Sequence, residues 1–65
     1  GMGQQEVFEF LSDNAGQWFT SRQISESLGV SIGSVTMSLK KLRKTNMIEF
    51  KQQGKRNTYH YRVKQ

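Results

Sequence analysis

Residues 20–44, TSRQISESLGVSIGSVTMSLKKLRK, contain two short helical periods joined by Leu28-Gly29-Val30, and no other stretch limits the fold so tightly. Thr20 and Gln23 form a capping box: the threonine hydroxyl accepts from the backbone at the third helical position, and the glutamine side chain reaches back to the cap. A helix therefore starts at Ser21 and runs over about 21–28. Its Ile24 and Leu28 lie one turn apart and face inward, while Arg22, Ser25 and Glu26 face water. Gly29 takes positive φ without a Cβ clash, so the chain turns sharply after Leu28 with Val30 tucked beneath. Ser31 is then a good N-cap for a second helix over about 32–45.

At about 100° of rotation per residue, Ile32, Val35, Leu39 and Leu42 fall on one inward stripe of that second helix. The opposite face carries Gly33, Thr36, Met37, Lys40 and Lys44, with Ser34 and Lys41 at its edge. Small residues near the start permit close approach by a ligand, and the lysines further along reach anionic groups. Gly33 is a weak helix former, so its presence where alanine is more stable is best explained by a close neighbour. Met37 either contacts an apolar group of a ligand or is ordinary exposed surface.

Ahead of this pair, residues 4–14 place Val7, Phe10 and Leu11 on one stripe with Phe8 beside it, which predicts a first helix. Asp13-Asn14-Ala15-Gly16 supplies its stop, with a glycine suited to left-handed φ. Gln17-Trp18-Phe19 is short and aromatic, consistent with a small strand, and Trp18 and Phe19 are expected in the core. After Thr45-Asn46, residues 47–63 alternate on either side of a glycine, as a hairpin requires. Ile48 and Phe50 point one way, as do Tyr59, Tyr61 and Val63. Pairing Ile48 with Tyr61 and Phe50 with Tyr59 closes the register on Gln53 and Arg56, leaves Gly54-Lys55 as a two-residue turn, and sets His60 opposite Glu49.

Sixty-five residues make one domain, assigned to 4–64, with no room for a deep catalytic cleft. Gly1 before Met2 reads as a cloning remnant. The chain has no cysteine, which excludes disulfides and thiolate chemistry, and a lone histidine cannot build a metal site. No apolar run approaches the roughly 18 residues of a membrane span, so a soluble, cytoplasmic protein with no membrane partner is expected, nucleoid-associated if prokaryotic. No carboxylate pair, nucleophile with a base, or glycine-rich phosphate loop is present, and neither an enzyme nor a cofactor is expected. Charge is segregated. Residues 1–30 hold Arg22 against Glu6, Glu9, Asp13 and Glu26, whereas residues 31–65 hold nine Lys and Arg against Glu49 alone. The cationic half coincides with the second helix of the pair and the hairpin, which predicts a polyanionic partner.

Together these segments resemble the winged helix-turn-helix superfamily of transcriptional regulators over nearly all of residues 5–63. The carrying residues are TSRQISESLGVS as helix and turn, IGSVTMSLKKLRK as recognition helix, and MIEFKQQGKRNTYHYRV as wing. The resemblance implies an α+β domain of three helices, a C-terminal β-hairpin wing and a short strand after the first helix. It also implies binding of double-stranded DNA, with the recognition helix in the major groove and the wing on the adjacent backbone. The residues expected at DNA are Ser31, Gly33, Ser34, Thr36, Met37, Lys40, Lys41 and Lys44 on the helix and Lys55 and Arg56 on the wing. The chain departs from the multidrug-response and metal-sensing regulators in lacking long flanking dimerisation helices and a Cys or His cluster, so no small-molecule effector is supported. A homodimer stays open. Two other readings of the same fold are an accessory nucleic-acid module of a larger replication, repair or RNA-handling protein, or one for left-handed duplexes, and a protein-interaction winged helix.

Overall fold

A computed structural model describes residues 3–65; the expected remnant at Gly1 lies outside them. Three helices, α1 (Gln4–Asp13), α2 (Ser21–Leu28) and α3 (Ile32–Lys44), precede two antiparallel strands, β1 (Ile48–Gln53) and β2 (Thr58–Val63). The termini of these helices follow from local chemistry. α1 stops at Asn14, whose backbone N–H and side-chain amide both donate to the Phe10 carbonyl, the latter at 2.8 Å. Thr20 caps α2 through the complete box, with Gln23 N–H donating to Thr20 Oγ1 at 3.1 Å and Thr20 N–H donating to Gln23 Oε1 at 2.9 Å. Gly29 ends α2 at φ 68°, and Ser31 caps α3 by accepting from Ser34 N–H at 3.2 Å. Ser25, expected in water, instead donates its hydroxyl to the Val30 carbonyl across the turn and is half-buried.

The core is formed by Val7 and Leu11 of α1, Ile24 of α2, Val35, Leu39 and Leu42 of α3, and Ile48, Tyr61 and Val63 of the hairpin. Leu11, Ile24, Val35, Leu39 and Leu42 are the largest side chains fully removed from water. Each of these contributes about 1.5–3 kcal/mol, and in a domain this small losing one is serious. The inward stripe of α3 differs from the expected one at its first position. Ile32 is 46% exposed and Ser38 is buried instead. Ile32 sits roughly 70° from the centre of the buried stripe at 100° per residue, on the edge toward the wing. Ser38 lines a narrow crevice with Val7, Leu28 and Val30, where α1 and the α2–α3 turn meet α3.

The hairpin register is Ile48 with Val63, Phe50 with Tyr61 and Gln52 with Tyr59. This corrects the expected pairing by two residues. Gln53 pairs with Thr58, so the connection is the four-residue loop 54–57 rather than a two-residue turn. Asn57 adopts φ 51° and Gly54 φ 87°, and an asparagine able to take the left-handed region makes the longer loop affordable. A two-residue slip preserves which side chains share a face. It does change partners: Glu49 faces Arg62, with an ion pair at 3.0 Å, and His60 faces Lys51. The segment before α2 joins the hairpin at one residue, Phe19, which exchanges two hydrogen bonds with Tyr61 at 2.8 and 2.7 Å. Phe19 packs against the core and meets Phe10 edge to face at 4.9 Å. Trp18 does not enter the core. It is half-buried on the outer hairpin face, with Lys51 Nζ 4.3 Å and the Arg62 guanidinium 4.4 Å from its ring centroid.

Candidate nucleic-acid interface

The side of α3 turned from the core is a continuous exposed surface. Gly33, Ser34, Thr36, Met37, Lys40, Lys41 and Lys44 are all exposed, as the sequence pattern requires of them. Ser31, at the N-cap, is exposed too, but its hydroxyl is engaged with Ser34, donating to Ser34 Oγ at 2.9 Å. Thr36 donates its hydroxyl to the Ile32 carbonyl at 2.8 Å, so outward it presents an acceptor oxygen and a methyl group. A Cβ built on Gly33 meets nothing within 4 Å, and the residue has ordinary helical φ. Nothing inside the protein therefore requires glycine at this position. Met37 is 61% exposed, the most exposed of the large apolar side chains among the described residues.

Lys55 and Arg56 occupy the middle of the 54–57 loop at the hairpin tip, both exposed. They keep this place although the loop is longer than expected. Lys40, Lys41 and Lys44 share the C-terminal half of α3, whereas Lys55 and Arg56 stand apart at the far end of the wing. Among the described residues, Glu49 is the acid of the cationic half, and its partner is Arg62 on the outer face of the hairpin. Among the described residues no ion pair joins a carboxylate to the lysines of α3 or to the wing tip, and their potential extends into solvent over about a Debye length.

Several groups at this surface escape a reading based on charge and period alone. Arg43 lies on the wing-side row of α3 with Thr36, two turns away. Its guanidinium stacks 3.7 Å above the Phe50 ring centroid and 5.3 Å from that of Tyr59. Phe50 shares a face with Ile48 but is 45% exposed, because β1 runs off the helices beyond Ile48 toward the tip. Burial pushes the Tyr61 hydroxyl above its ordinary pKa, with Arg43 pulling the other way and Tyr59 adding to the rise. Among the described residues no cluster of His, Cys, Asp or Glu has a metal-holding arrangement, and no helix is long and apolar enough to cross a membrane.

No protein-family model and no curated protein sequence matches the chain. Its architecture is similar to that of a protein described as "Possible transcriptional regulator from Methanosarcina mazei Go1", with a TM-score of 0.89 and 22% sequence identity over 95% of this chain and 54% of the other. The chain therefore spans about half the length of that protein. At this identity the likeness is one of backbone architecture. Three helices, a bridging residue between the first two and a C-terminal antiparallel hairpin make the fold a winged helix.

Proposed function

We propose that this chain binds double-stranded DNA in transcriptional regulation, with α3 in the major groove and the tip of the wing on the neighbouring backbone. The observation that carries the reading is the cationic surface on the side of α3 opposite the core, together with the separate basic tip of the wing. The small side chains near the start of α3 suit close approach to base edges, and an acceptor on Thr36 suits the amino group of adenine or cytosine. Ile32 and Met37 offer apolar contact for thymine methyls. Lys40, Lys41, Lys44, Lys55 and Arg56 have the reach and charge for phosphates. The similarity to a protein described as a possible transcriptional regulator supports the same reading.

Counterion release supplies the test. With these five cations on phosphates at about 0.9 per contact, and some contacts shared, log K falls against log salt with a slope of about −3 to −5. Titration of a labelled duplex at several salt concentrations measures it. A flat dependence removes nucleic acid as the main partner. Selection from a random duplex pool then reads specificity, since an enriched motif is expected if α3 contacts bases, and a palindromic motif marks a homodimer.

A further inference from the structure

The corner between α3 and the middle of the wing carries two aromatic rings that phosphate contacts with a continuous duplex leave unused. Phe50 and Tyr59 are 45% and 39% exposed, with ring centroids 5.9 Å apart and edge to face. Tyr59 in turn stands 6.3 Å from Tyr61, so the rings form a row leading from the wing into the core. Arg43 lies over Phe50, and the open groove beside it is lined by Lys40, Arg43, Lys44 and Phe50. Two large rings half in water forgo the burial that stabilises so small a domain. Every charged side chain lining the groove is cationic.

These features restrict what can cover the corner. A second copy of this chain brings cation against cation. An acidic peptide answers the charges with carboxylates but covers the rings only where it adds an aromatic or apolar side chain. A continuous duplex answers the charges with phosphates, yet its bases stay stacked on each other and show the rings only their edges. An unpaired nucleotide supplies both needs: a π face for the aromatic rings and a phosphate for the lysines, the combination by which single strands are held. Resting on the DNA-binding reading, we infer that the Arg43, Phe50 and Tyr59 corner holds an unpaired base beside a duplex. The base stacks on Tyr59 and on the Arg43 guanidinium that Phe50 supports, while Lys40 and Lys44 hold the phosphates at the junction of duplex and single strand. The chain is thereby suited to a fork or a duplex end carrying an overhang.

The test compares three fluorescent DNA probes by anisotropy at one salt concentration: a blunt duplex, the same duplex with a short single-stranded arm, and the arm alone. The armed duplex binds more tightly than the blunt one by about 5- to 150-fold, the range for one base stacked on an aromatic side chain. Phe50→Ala and Tyr59→Ala abolish that preference while leaving blunt-duplex affinity within about twofold, and Phe50→Trp retains it. Phe50 and Tyr59 lie outside the buried core, and circular dichroism verifies that each variant is folded. Equal affinity for blunt and armed duplexes, or a preference that survives both alanine variants, overturns this inference and leaves the duplex reading intact. Failure to bind any probe overturns both. Self-association in sedimentation that disappears with Phe50→Ala assigns the corner to a homodimer and also overturns it.

Discussion

Gly33→Ala separates the demands of folding from those of binding at one atom. The added Cβ meets nothing within 4 Å, and the backbone is already helical. No native contact is therefore strained, and the unfolded chain loses freedom, which stabilises the protein by about 0.4–1 kcal/mol. Gly33 is the second residue of α3, where the helix is only half closed, so the lower part of that range applies. For a domain of this size the gain corresponds to a rise in Tm of roughly 2–5 °C. If α3 lies in the major groove with Gly33 against base edges, the same methyl group meets DNA instead of solvent and affinity falls several-fold. Thermal melts and duplex titrations on the same variant are the assays. A stabilised protein that binds as tightly as the parent refutes close approach at Gly33, and a destabilised one refutes the view that nothing in the fold requires glycine there.

Leu39→Ala removes a fully packed side chain and is expected to cost about 2–5 kcal/mol, enough to unfold much of the protein, whereas the exposed neighbour Lys40→Ala changes stability by under about 0.5 kcal/mol and weakens DNA binding. Melting curves that rank the pair the other way mean α3 presents a different face. Because the Tyr61 hydroxyl has its pKa raised by burial, the folded state disfavours the phenolate: stability from this group is intact below the unfolded value near 10 and declines as pH rises through the folded value. Tyr61→Phe flattens that alkaline decline in chemical denaturation. An identical decline in both proteins assigns it to other groups. Lys55→Ala and Arg56→Ala weaken all duplexes alike, while Thr36→Ala and Met37→Ala shift preference among sequences by on the order of 1 kcal/mol per lost base contact. Competition among unrelated duplexes distinguishes them, and a sequence shift caused by the wing variants reverses the roles of helix and wing.

Local rules made the helices legible. The Thr20 and Gln23 box, the left-handed Gly29 and the Ser31 cap each depend on a few adjacent residues, and all three appear where their chemistry requires. Period alone could not find the limits of the core. Ile32 and Phe50 have the spacing of buried residues, yet one sits at the edge of its stripe near a helix start and the other beyond the reach of the helices. Whether an apolar residue is covered depends on how far its neighbours extend, which is a tertiary property. The register slipped for a related reason: Gly54 marked the turn, but Asn57 in the left-handed region set its length. Among the proposed site residues, the exposed face of α3 and the basic tip were readable from periodicity and charge. The Arg43 stack was not, because it joins α3 to β1 across a turn and no pairing rule in the sequence links the two.

The two hydrogen bonds between Phe19 and Tyr61 bear on how the domain assembles and comes apart. They join residues about forty positions apart, with both helices of the recognition unit enclosed in the loop between them. Closing such a loop in the unfolded chain is entropically costly, so the link is expected to form after α2 and α3 have condensed. A two-stranded hairpin on its own is marginal in water, and here its inner strand is secured from the opposite end of the chain. Amide exchange at Tyr61 should therefore track global unfolding rather than local fraying of the wing. The two bonds thereby tie the placement of the wing to the packing of the helices.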